Sequence, residues 1–105
     1  MPPKLSERAF LDQVIDLARH CGWLVHHQRP ARTAQGWRSA IQGHKGFPDL
    51  VLVRPPHLIF AELKAGKGKA TLEQEDWLDC LRTAGAWAVV WRPEDWDTIE
   101  RTLRR

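Results

Sequence analysis

Apolar positions along this chain change their period several times, and each change predicts an element. From Leu5 to Cys21, Phe10, Leu11, Val14, Ile15, Leu17 and Ala18 recur at helical spacing. Ser6 suits an N-cap, Glu7 suits the positive end of a helix, and Gly22 is a stop signal. Trp23 to Gln28 takes on the β-branched and aromatic character of a strand. Arg29 to Lys45 contains Pro30, Gly36, Gly43 and few apolar residues, which predicts a long loop. Pro48 to Arg54 carries the run Leu50-Val51-Leu52-Val53, as in a strand covered on both faces. Pro55-Pro56-His57 must turn the chain, and Leu58 to Lys64 reads as a third strand. With so short a turn the two strands should pair antiparallel.

Ala65 to Ala70 follows as a glycine- and lysine-containing loop that lacks the spacing of a phosphate-binding P-loop. Thr71 caps a second helix running to Ala84, with Leu72, Trp77, Leu78 and Leu81 as its expected buried face. Ala86 to Arg92 reads as a fourth strand. Pro93 opens a last helix, Glu94 to Leu103, with Trp96, Ile99 and Leu103 as its inner stripe. The order αβββαβα predicts an α/β fold, a mixed four-stranded sheet flanked by helices. Neither a repeat nor a linker interrupts residues 1–105, which are expected to form a single domain.

Composition adds little until it is placed along the chain. The net charge of +3 is modest, but between His26 and Lys69 eight basic residues face only two acids, Asp49 and Glu62. The eight are Arg29, Arg32, Arg38, Lys45, Arg54, Lys64, Lys67 and Lys69. A basic field around two isolated carboxylates suits a polyanion that must meet a metal ion; a solvated basic loop is the plainer account. Trp37 between Arg32 and Arg38 can stack on an unpaired base while the arginines hold phosphates, or can anchor the loop to the core. Six tryptophans exceed what so small a core should hide, which makes Trp87 and Trp91 candidates for an interface, with the core as the alternative. Cys21 and Cys80 form no close pair and are expected as free buried thiols. With no signal-peptide pattern and no long apolar run, a cytoplasmic protein is expected. His20, Cys21, His26 and His27 lack zinc-like spacing, and the strand alternation leaves open which histidine faces a site.

The candidate chemistry lies between Gly46 and Lys64. Asp49 opens one strand, and Glu62 and Lys64 close the next, so the three meet at one end of a hairpin. Pairing Arg54 with Leu58 sets Asp49 opposite Leu63, within one residue of both Glu62 and Lys64; a one-residue slip decides which it faces. Residues two apart on a strand share a face, so Glu62 and Lys64 point the same way. Two carboxylates and the Leu63 backbone carbonyl make a half-shell of oxygens for Mg²⁺ or Mn²⁺. Such an ion acidifies water and offsets charge on a phosphate, while the Lys64 ammonium can orient the water. Glu7 is either a solvated first-turn acid or a further carboxylate of this site. Gln74 either caps its helix or points back toward the carboxylates.

Gly46-Phe47-Pro48-Asp49-Leu50, Phe60-Ala61-Glu62-Leu63-Lys64, Gln74 and Glu7 together resemble the PD-(D/E)xK nuclease superfamily. More narrowly, the chain is similar to the small stand-alone VRR-NUC nucleases of phage and bacteria, over roughly residues 5 to 103. The resemblance implies hydrolysis of DNA phosphodiesters with Mg²⁺ or Mn²⁺, by a homodimer able to act on branched DNA such as four-way (Holliday) junctions. It implies Asp49 and Glu62 as metal ligands, Lys64 as the catalytic lysine, and Glu7 and Gln74 as supporting residues. Arg29, Arg32, Trp37, Arg38, Lys45, Lys67 and Lys69 are the candidates for contact with nucleic acid. The alternatives are a non-catalytic nucleic-acid-binding module, or a nuclease subunit of a larger complex.

Overall fold

The computed structural model describes residues 5–28, 31–33, 36–38 and 41–105, with backbone alone for 31–33 and 36–38. Helix α1 spans Glu7–His20, and the Ser6 side chain accepts from the Ala9 N–H at 3.0 Å as its N-cap. Strand β1, Leu24–His27, follows. The segment expected as loop holds two short strands instead, β2 at Ala31–Thr33 and β3 at Gly36–Arg38. They pair antiparallel as a separate ribbon, with Arg32 opposite Trp37. Strands of three residues are too short to show a period, so composition alone read them as loop.

Strands β4, Leu50–Arg54, and β5, His57–Leu63, form the central hairpin. The turn is Pro55-Pro56 alone, because His57 already pairs with Arg54. Helix α2, Leu72–Thr83, crosses to β6, Trp87–Trp91, which pairs parallel with β5. A parallel neighbour requires such a crossover, since no tight turn can return the chain to the same end of the sheet. Helix α3 spans Trp96–Arg104. The main sheet has the order β1-β4-β5-β6, mixed and four-stranded, with helices on it as expected.

Strand alternation divides the sheet into two faces. On one, Leu50, Leu52, Ile59, Ala61, Leu63 and Trp91 pack with Phe10, Val14 and Ala18 of α1 and with Ile99 and Leu103 of α3. Trp91 thus belongs to the core, and Trp87 is half-buried against it. On the other face Phe60 meets Phe47 edge-on at 6.0 Å, and Phe47 meets Trp77 of α2 at 5.0 Å. This cover is partial: Val51 and Val53 are only half-buried, contrary to a strand enclosed on both sides. The buried face of α2 is also narrower than expected, since Leu78 is buried whereas Leu72 is exposed. Of the two free cysteines, Cys21 is half-buried and Cys80 exposed rather than buried.

Candidate active site

The hairpin register decides what sits opposite Asp49. Arg54 pairs with His57 and Leu50 with Ala61, so one further step places Asp49 opposite Glu62. This is one residue from the alignment that starts at Leu58, and it brings the two carboxylates together. The Asp49 Oδ2 accepts from the Leu63 N–H at 2.8 Å, which ties the mouth of the hairpin shut. His27 of β1, beside Leu50 in the ladder, donates from Nδ1 to the Asp49 carbonyl at 3.0 Å. Of the adjacent histidines, it is therefore His27 that braces the Asp49 backbone, while His26 is exposed. Asp49 is held from both neighbouring strands.

Glu62 is a carboxylate with 1% of its surface exposed. Its Oε2 lies 3.2 Å from the Lys64 Nζ, and its Oε1 is buried without a hydrogen-bond partner. Burial, and after it the negative charge of Asp49, raises the Glu62 pKa to about 7; Lys64 pulls the other way. A buried, under-partnered anion beside a second carboxylate is costly unless a cation completes it. Among the described residues no third His, Cys, Asp or Glu joins the pair in a cluster able to hold a metal. Two facing carboxylates, one with a buried oxygen lacking a partner, are the donor type that a hard divalent ion takes.

The loop before Asp49 is docked onto α2. Gly46 has φ +100°, and a Cβ there would stand 2.6 Å from the Glu73 carbonyl carbon. Only glycine lets the chain pass so close to the first turn of the helix. The Trp77 indole N–H donates to the carbonyls of His44 at 3.2 Å and Lys45 at 3.1 Å. Lys45, which is exposed, pairs with the half-buried Glu73 at 3.4 Å. These contacts explain Gly46-Phe47-Pro48 as the docked lead-in to Asp49, a role that sequence spacing alone does not reveal.

The supporting candidates divide. The Gln74 Oε1 accepts from the Thr71 N–H at 2.9 Å, and the Thr71 Oγ1 accepts from the Gln74 N–H at 3.2 Å. Gln74 therefore completes a capping box. Glu7 is exposed in the first turn of α1 and makes no cluster with Asp49 and Glu62. Lys67 and Lys69 are exposed on the loop after Lys64. Arg29 lies outside the described residues, and for Arg32, Trp37 and Arg38 the structure gives the backbone ribbon. Arg54 leaves the basic field altogether. Its Nη1 donates to the carbonyls of Cys21 at 2.8 Å and Leu103 at 3.0 Å, and its Nη2 to that of Arg105. An open cleft of about 650 Å³ lies between residues 43–45 and α2, but contains none of Asp49, Glu62 or Lys64. A polymer gripped from outside needs an exposed platform more than an enclosed cavity.

A mixed α/β sheet thus carries two carboxylates and a lysine at the mouth of its central hairpin. The family model of the VRR-NUC domain matches residues 9–94, and the chain belongs to that family. A solved structure described as a VRR_NUC domain protein is similar in fold, with a TM-score of 0.68. It is 21% identical, and the alignment covers 97% of this chain and 88% of that one. No curated protein matches the chain.

Proposed function

We propose that the protein is a metal-dependent endonuclease that hydrolyses DNA phosphodiester bonds and prefers branched DNA such as four-way junctions. The observation that carries this is Glu62: buried, opposite Asp49, one carboxylate oxygen on Lys64 and the other without a partner. Asp49, Glu62 and the Leu63 carbonyl would hold Mg²⁺ or Mn²⁺. When bound, the ion supplies charge neutralisation at the phosphate and acidifies the attacking water. Lys64 shares the sheet face of Glu62, and its ammonium can orient that water and stabilise charge on the phosphate oxygens. Water adds to phosphorus, one phosphorus–oxygen bond breaks, and the ends are a phosphate and a hydroxyl. Gln74, with its carbonyl oxygen in the cap, keeps its amide nitrogen for support of the site, and Glu7 is proposed as an outer carboxylate. Arg29, Arg32, Trp37, Arg38, Lys45, Lys67 and Lys69 are proposed to meet the DNA. Symmetric cutting of a four-way junction needs two sites, which a two-fold homodimer supplies.

The test incubates the purified protein with four-way junction, flap, single-stranded and linear duplex DNA, with Mg²⁺, Mn²⁺ or EDTA, and maps the ends. Cleavage confined to the divalent ions and strongest on the junction is expected. Asp49→Ala, Glu62→Ala and Lys64→Ala should abolish it while DNA affinity stays close to wild type. Cutting in excess EDTA would refute the metal mechanism. Steeply salt-sensitive binding without any nick would instead favour a binding module. Mn²⁺ should also raise the melting temperature of the wild type but not of Glu62→Gln, a readout independent of turnover.

A further inference from the structure

The loop that follows Lys64 has little of its own to hold it. Ala65-Gly66-Lys67-Gly68-Lys69 contains two glycines and two lysines, and residues 66–69 are exposed. Its internal bond is a single turn contact, the Gly68 N–H to the Ala65 carbonyl at 3.1 Å. Holding such a segment in one shape costs roughly 1–2 kcal/mol of entropy per residue. Arg92 supplies the missing restraint. The parallel ladder ends with Leu63 opposite Trp91, and the Lys64 N–H donates to the Trp91 carbonyl at 3.0 Å. Arg92 is therefore the next residue on the neighbouring strand, beside Lys64. Its backbone is still extended, and its N–H is held by the Asp95 Oδ2 at 2.9 Å. Its guanidinium donates to the Gly68 carbonyl at 2.6 Å and to the Gly66 carbonyl at 3.4 Å.

We infer that Arg92 is a positioning residue for nucleic acid, which pins the 65–69 loop so that Lys67 and Lys69 stand preformed beside the Lys64 end of the site. This rests on the proposed function. Placing the Arg92 guanidinium on the loop that carries Lys67 and Lys69, with Lys64 on the neighbouring strand, gathers four cations whose repulsion a bound polyphosphate backbone relieves. A preformed turn also spares the ordering cost at the moment of binding.

Two measurements test this, both with the full chain in EDTA so that no DNA is cut. In the first, trypsin cleavage after Lys67 and Lys69 is followed by mass spectrometry without DNA. Arg92→Gln should speed it about tenfold without a matching loss in the urea midpoint, because local opening, not global unfolding, exposes the loop. In the second, binding to a labelled four-way junction is measured for Arg92→Gln, for Lys67→Ala with Lys69→Ala, and for all three together. Arg92→Gln and the lysine pair should each weaken binding about tenfold, and the triple variant should bind within about twofold of the pair. Arg92→Lys, which keeps the charge and fewer donors, should fall between wild type and Arg92→Gln in both assays. Unchanged proteolysis would overturn the anchoring. Additive losses would overturn the positioning role, since Arg92 would then act by its own charge. A wild type that binds no DNA, with the proteolysis difference intact, would overturn the nucleic-acid half of the inference together with the proposed function.

Discussion

Glu62 is a group whose environment and whose usual chemistry disagree. A carboxylate in water ionises near pH 4.5, but here burial and Asp49 raise the value to about 7. Between those two pH values the folded chain binds a proton that the unfolded chain has already released. Stability from this residue is therefore fully present below about pH 4.5 and is lost as the pH rises through about 7. The loss amounts to roughly 3 kcal/mol at alkaline pH in the absence of metal. Urea unfolding of wild type and Glu62→Gln in EDTA, from pH 4 to pH 8, should show the wild type falling relative to the variant across that window. Parallel curves would remove burial as the cause. The same residue explains why a divalent ion should matter most at neutral pH and above, where Glu62 must carry its charge.

At the scale of elements, the approach of residues 43–48 to α2 sets where Asp49 begins its strand. Gly46→Ala should cost roughly 2–3 kcal/mol, from the positive φ and from contact with the Glu73 carbonyl. Gly43 is the natural control: its φ is +116°, but a Cβ there meets nothing within 4 Å. Gly43→Ala should therefore cost less, and the difference in urea midpoints isolates the close approach. DNA cleavage should fall with Gly46→Ala more than with Gly43→Ala, because only Gly46 borders the docked lead-in to Asp49. The capping box is a separate matter. Thr71→Ala should cost about 1 kcal/mol, whereas Gln74→Glu should keep the cap, since glutamate satisfies the same geometry.

At the scale of the molecule, the two ends of the β4–β5 hairpin do different work. The open end carries Asp49, Glu62 and Lys64. The turn end carries Arg54, whose guanidinium gathers the carbonyls that close α1 and α3 and lies 4.6 Å over the Trp23 ring. A cation at the negative ends of two helices is favourable, and three bonds make it a tie between helices distant in sequence. Asp49 and Arg54 stand about 16 Å apart along an extended strand. Arg54→Ala should therefore lower stability by roughly 2–4 kcal/mol and leave DNA affinity unchanged, as measured by urea unfolding and by junction binding. A loss of affinity at unchanged stability would return Arg54 to the basic surface. Among the described residues no helix is long and apolar enough to cross a membrane.

Periodicity settled the order of the major elements, because long apolar repeats and capping residues act over neighbouring positions. Spacing likewise brought Asp49, Glu62 and Lys64 to one hairpin end, since strands joined by two prolines have few ways to pair. Local pattern carries no distance between elements, and that is where it stopped. The single-residue register that sets Asp49 opposite Glu62 depends on how tightly the turn closes. The ribbon at Ala31–Thr33 and Gly36–Arg38 is too short to be periodic. The assignments of His27 to the Asp49 carbonyl, Arg54 to two helix ends and Arg92 to the 65–69 loop depend on which strands become neighbours, which packing of the whole chain decides.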